Sequence, residues 1–359
     1  MSAPAFTDLI DLAAERLGGA VLLANDEFFA PKEALLRSAA PEWREHEYTD
    51  RGKWMDGWET RRRRTPGYDW CLVRLGLAGV VRGVVVDTSY FRGNFPEACE
   101  LEGTEVEGVP DPEVLAGDPR TRWHALVPRS PLAGDARNAF AVTCPERLTH
   151  VRLSIFPDGG VARLRVHGEA RPAPALFAAG HVLDLAAMEH GGYVELCSDM
   201  FFGHRQNLIL PGRSTHMGDG WETRRRRGPG HDWSIVRLGA RGAIVRLELD
   251  TDHFKGNAPG RCSLEWCDAP GASTEALAST VEWQPLLGET PLQPHARHGW
   301  DVAAGVVATH VRLNIFPDGG VARLRVHGEV RPDPRLVTLG GLVDLAALSN
   351  GGTVIGCSN

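Results

Sequence analysis

VRLSIFPDGGVARLRVHGE, Val151–Glu169, decides the fold. Val151, Leu153 and Ile155 alternate with Arg152 and Ser154. Beyond a break, Ala162, Leu164 and Val166 alternate with Arg163, Arg165 and His167. A period of two is the strand signature, because successive side chains point to opposite faces. The break, Pro157-Asp158-Gly159-Gly160, has glycines where a tight hairpin turn needs positive φ. Arg163, Arg165 and His167 are therefore expected on an outward face, either solvated or packed against a second domain.

The stretch Phe156–Glu169 recurs unchanged as Phe316–Glu329, 160 residues later. A second stretch, DGWETRRRR at Asp56–Arg64, recurs at Asp219–Arg227, 163 residues later. Equal order and near-equal offset make the chain a tandem duplication of one domain. At 359 residues it has room for two ordinary domains. Their expected limits are 1–174 and 175–359, divided at the proline-rich Arg171-Pro172-Ala173-Pro174. A third, partial echo starts at Asp344-Leu345-Ala346-Ala347, after Asp11-Leu12-Ala13-Ala14 and Asp184-Leu185-Ala186-Ala187. It reads either as a closing strand of the second domain or as a tail that docks elsewhere.

Other segments are also short and alternating, such as Val245, Leu247 and Leu249 against Arg246, Glu248 and Asp250. Only Asp8–Leu17, Leu183–Glu189 and a few loop pieces look helical. The expected class is all-β, with an antiparallel sandwich or jelly roll in each half.

Hydrophobic residues are 43% of the chain and charged residues 24%, the balance of a globular protein. A net charge of −7 argues against a nucleic-acid or anionic-membrane partner. Seven cysteines without a CxxC pair, no basic-apolar leader and no bilayer-length apolar run point to a reduced, cytoplasmic chain. No HExxH and no zinc-spaced His/Cys cluster occurs, so no cofactor is required. Acidic loops leave a hard divalent ion such as manganese or calcium open as a ligand.

Three duplicated constellations could carry chemistry. The first is Glu59 and Arg61 with Trp58, against Glu222 and Arg224 with Trp221. A carboxylate and a bidentate cation two residues apart suit a small anion. The second is Asp69-Trp70 against His231-Asp232-Trp233, where Tyr68 replaces the histidine. An Asp beside a His can orient it as a base, so His231 favours the second half for acid/base work. The third is the loop Asp87–Pro96 against Asp250–Pro259, where Asn94 and Asn257 offer both a donor and an acceptor to a ureido group. Each has a plainer reading as solvated arginines, core tryptophan, capping aspartate and turn asparagine.

These ordered motifs, DGWETRR, (H/Y)DW, D-T-x-x-F-x-G-N and F-P-D-G-G-x-x-R-x-R-V-x-G, resemble those of the allantoicase family over nearly the whole chain. The resemblance implies galactose-binding-like jelly-roll domains, a homo-oligomer, and hydrolysis of allantoate to ureidoglycolate and urea. Allantoate carries one carboxylate and two ureido groups on one carbon. C–N cleavage there needs a carboxylate clamp, an acid for the leaving urea and a base for water. The chemistry suggests Arg224 as clamp, Glu222 with Asp232 or His231 as acid/base, and Asn257 on the ureido group, with Trp221 beside them. Arg61, Glu59, Asp69 and Asn94 are the first-half counterparts. The rival reading is a non-catalytic tandem module that binds a sugar, calcium or a small anion.

Overall fold

Asp69–Asp87, the longest strand of the first half, belongs to both layers of a sandwich. Its first part, Cys71–Arg74, lies between Ala20–Ala24 and Arg147–Phe156. Its last part, Gly83–Asp87, lies between Arg163–Ala170 and Arg137–Ala141. The turnover falls at Gly76 and Gly79, where an added Cβ would run into the backbone of Leu17 and Glu169. Glycine is needed wherever two backbones approach this closely. The first layer continues outward through Ala98–Thr104 to His124–Pro131, and the second through Arg163–Ala170 to Ile10–Asp11. All these pairings are antiparallel.

The second half repeats the order with Asp232–Asp250 as its long strand. In this computed structural model the chain divides into two compact units, Met1–Arg171 and Pro172–Asn359. Residues 5–106, 108–173, 177 and 181–331 are described. The echo beginning at Asp344 lies outside them. No described helix is long and apolar enough to cross a membrane.

The core between the layers holds Leu72, Leu101, Leu148, Leu153, Ile155, Leu164 and Val166, all fully buried. Burying each such side chain contributes about 1.5–3 kcal/mol. The alternation of the sequence carries over into the sheets, with three corrections. A bulge between Ile244 and Arg246 shifts the phase, so Ile244 is buried and Val245 is exposed. Asp8–Leu17 is not one helix, since the strand Ile10–Asp11 divides the 3-10 turns Ala5–Asp8 and Glu15–Leu17. Short α-helices also occur at Pro112–Gly117 and Thr274–Ser279.

The third correction concerns the outward arginines. Arg163 is 1% exposed and Arg323 3%. A strap that includes the 3-10 turn Lys32–Leu36 covers that face in the first unit. Arg163 donates to the carbonyls of Ala39 and Asp56 and to the Asp56 carboxylate at 2.6 Å. Arg165 donates to the Arg37 carbonyl, and His167 Nδ1 meets the Leu9 carbonyl. Burial works against the Asp56 charge. The Arg163 hydrogen bond and the Glu42 backbone N–H override it and hold the carboxyl below its usual range. These arginines fasten loops to the sheet, because a period-two pattern cannot tell a solvated face from one covered by a strap.

Removing Arg163 leaves Asp56 buried without its main partner. Arg163→Ala should cost about 3–5 kcal/mol in denaturant unfolding. A loss under about 1 kcal/mol, the level of an exposed pair, would mean the pair does not hold the strap.

Candidate functional site

The three duplicated motifs meet at one place in each unit. Trp58–Glu59 pairs with Gly160–Val161, so Glu59 lies opposite Gly160. The Thr60 N–H donates to the Gly159 carbonyl at 3.1 Å. The Gly160 N–H donates to the Asn94 carbonyl at 2.7 Å, which brings in the loop after the long strand. Phe91 of that loop is fully buried. Its ring lies where a Cβ on Gly57 or Gly160 would stand. The loop is held from the other side by the Asp135 carboxylate, which accepts from the Tyr90 N–H at 2.8 Å.

This arrangement places the Asn94 amide against Glu59. Asn94 Nδ2 donates to Glu59 Oε1 at 2.7 Å. Burial pushes the Glu59 carboxyl above the ordinary glutamate range, and the Asn94 hydrogen bond only partly opposes it. The second unit repeats the geometry. Asn257 Nδ2 donates to Glu222 Oε1 at 2.6 Å, the Gly320 N–H donates to the Asn257 carbonyl at 2.8 Å, and Phe254 fills the space over Gly220 and Gly320.

The surroundings differ. Glu59 and Asn94 line a cavity of about 340 Å³ with Phe29, Trp43, Lys53, Met55, Tyr90, Arg92 and Gly93. Trp43 and Tyr90 stack with centroids 5.9 Å apart. Lys53 Nζ sits 4.8 Å from the Trp43 ring and 4.9 Å from the Tyr48 ring. Trp43, Lys53 and Met55 come from a long connection: nineteen residues separate Leu36 from Asp56. Only nine separate Ile209 from Asp219 in the second unit, where Met217 Sδ stands 3.2 Å from Asn257 Nδ2. Among the described residues no group of three or more His, Cys, Asp or Glu side chains could hold a metal ion.

The Allantoicase repeat family model matches residues 10–171 and 183–331. A probable allantoicase of Nocardia farcinica is 50% identical, over 90% of this chain and 95% of its own length. Probable allantoicase 1 of Burkholderia mallei is 47% identical, over 91% and 96%. The chain belongs to the allantoicase family. The crystal structure of allantoicase from Saccharomyces cerevisiae superposes with a TM-score of 0.74 at 34% identity, covering 89% of this chain and 92% of that one.

Within this allantoicase fold the other candidate residues have definite partners. Arg61 is taken up by Asp26, at 2.6 Å from Nε, and lies over the Phe28 ring. Arg224 lies over Phe201, and its backbone N–H donates to Asp199 at 2.7 Å. Trp58 and Trp221 are fully buried, and their indole N–H groups donate to the carbonyls of Asp26 and Asp199. Trp221 is thus core and has no surface to offer a substrate. Asp69 is 1% exposed and bound by Arg63 at 2.5 Å and Asn25 at 3.0 Å. Asp232 is bound by Arg226 and, at 3.0 Å, by Ser198. Among the described residues no hydrogen bond joins His231 to Asp232. The His231 ring lies 4.7 Å from Phe316, as Tyr68 lies 5.0 Å from Phe156. The Tyr68/His231 difference is an exchange of one packing ring for another.

Sequence reasoning missed Trp43, Lys53, Tyr90 and Arg92. The signal available for Trp43 and Lys53 was the unequal loop length between the halves.

The raised Glu59 carboxyl carries a consequence for stability. A carboxyl with a raised folded pKa contributes stability that is present at low pH and lost as pH rises through that pKa. Glu59→Gln removes that loss. The melting temperature of the variant, relative to wild type, should therefore rise between pH 4 and pH 8. A constant difference across that range would contradict the buried-carboxyl assignment.

Proposed function

We propose that this chain hydrolyses allantoate to ureidoglycolate and urea, a step of purine degradation, and that the first-unit cavity carries the reaction. The observation behind the choice of site is the Glu59–Asn94 hydrogen bond inside a cavity walled by two cations and three aromatic rings. The second unit has the carboxylate–amide pair without the long connection that supplies Trp43, Lys53 and Met55. This reading moves the acid/base role from Glu222, His231 and Asp232 to Glu59. It moves the carboxylate clamp from Arg61 and Arg224 to Lys53 and Arg92, which line the cavity, although Arg92 also pairs with Asp135 at 3.0 Å.

The mechanism follows from the substrate. Asn94 Nδ2 is engaged by Glu59, so Asn94 Oδ1 is left to accept from a ureido N–H. Lys53 and Arg92 attract the allantoate carboxylate. The nitrogen of the retained ureido group pushes its lone pair toward the central carbon. The C–N bond to the other ureido group breaks, and protonated Glu59 gives its proton to the departing nitrogen, releasing neutral urea. Water then adds to the iminium carbon, and the Glu59 carboxylate takes the water proton. The product is ureidoglycolate, and Glu59 is restored. A carboxyl whose pKa is raised toward working pH serves both steps better than an ordinary one. No acyl-enzyme is needed, which agrees with a site built without a serine or cysteine nucleophile.

Urea release from allantoate tests the assignment. Glu59→Gln should lower kcat by about 10²–10⁴, the usual contribution of a general acid–base group. Glu222→Gln should leave kcat within a factor of a few, since that side chain takes no part. The reverse pattern would return the chemistry to the second unit.

A further inference from the structure

We infer that the Glu222–Asn257 pair is a second binding site, for a small ligand with one ureido group and one carboxylate. The inference rests on reading the Glu59–Asn94 pair as a ureide-binding device. The second unit keeps the carboxylate–amide pair and the contacts that position it. The carboxylate and amide meet at 2.6 Å, Glu222 lies opposite Gly320, and Phe254 locks the loop against Gly220 and Gly320. Three substitutions change the charge beside it, and the first, Asp252 in place of Ser89, is paired with Arg213 at 3.1 Å and Arg297 at 3.4 Å. Lys255 stands where the first unit has Arg92, and His295 stands where it has Asp135. Arg92 is tied to Asp135 at 3.0 Å. His295 Nδ1 instead accepts from the His253 N–H at 2.8 Å, and Lys255 has no ion-pair partner among the described residues. An exposed ammonium two residues from Asn257 is the complement of a carboxylate.

The same comparison limits the size of the ligand. The connection that walls the first-unit cavity is shorter here, and Met217 stands against the Asn257 amide. One ureido arm can be held by Glu222 and Asn257, with its carboxylate at Lys255. No structure corresponding to Trp43 and Lys53 is left to take a second arm. The chemical class is therefore a mono-ureido acid, the class to which the product of the proposed reaction belongs.

The chain supplies its own reporters. It has five methionines, of which Met55 lines the first-unit cavity and Met217 touches Asn257. The full chain, labelled with 13C at the methionine methyls, is titrated with N-carbamoylglycine, a mono-ureido acid with no second ureido group to lose. Met55→Leu and Met217→Leu assign the two signals. The Met217 methyl should shift saturably, and Glu222→Gln should abolish that shift while the Met55 signal still responds. A Met217 signal that stays fixed to the solubility limit of the probe, or one that still shifts in Glu222→Gln, overturns the second site. Urea release by Glu59→Gln is read separately. Retained turnover there overturns the catalytic reading and leaves the Met217 result to decide this one.

Discussion

The Phe91 ring occupies space that glycine at 57 and at 160 leaves open, and Phe254 does the same over Gly220 and Gly320. Three segments far apart in sequence are joined through this contact. A side chain on either glycine would overlap the ring, and a displaced ring would carry the Asn94 loop with it. Overpacking a fitted core position typically costs about 1–3 kcal/mol. Here it would also part the amide from the carboxylate. The glycines of DGWE and DGG are therefore conditions for the Glu59–Asn94 hydrogen bond, although neither lines the cavity with a side chain.

The arginines of the duplicated tract act mainly on the scaffold. Arg61 and Arg63 engage Asp26 and Asp69, and Arg226 engages Asp232. Arg163, from the other repeated stretch, fixes the strap through Asp56. The Arg163–Asp56 pair, buried on both sides, is costly to break from one side, because the remaining charge stays in a dry environment. Repetition of these pairs in both units follows from repetition of the fold. The units diverge instead at the rim, where nineteen residues in one match nine in the other. Trp43, Lys53 and Met55, which line the first-unit cavity, all come from the longer of the two.

Much of the architecture was legible in the sequence. The hairpin around Gly159-Gly160, the all-β class and the duplication are direct consequences of period-two patterning and repeated turns. The Glu59, Asn94, Glu222 and Asn257 positions also stood out, and the fold brings them together as two pairs. Other readings failed for physical reasons. Arg163 looked outward because alternation records two faces and says nothing of what covers them. Trp221 looked available because an aromatic residue beside a glutamate is as consistent with core as with a ligand wall. His231 adjoins Asp232 in sequence, but its ring packs on Phe316, just before the strand that Asp232 begins. The cavity wall was hidden because Trp43 and Lys53 lie in a long connection without sustained periodicity, in a segment the duplication does not preserve.

The account stands on allantoate occupying the first-unit cavity. The most direct measurement is a crystal structure of Glu59→Gln grown with allantoate. The expected result is one ureido group at Asn94 and the carboxylate at Lys53 and Arg92. Allantoate bound at Glu222 and Asn257, with the first cavity holding none, would contradict it.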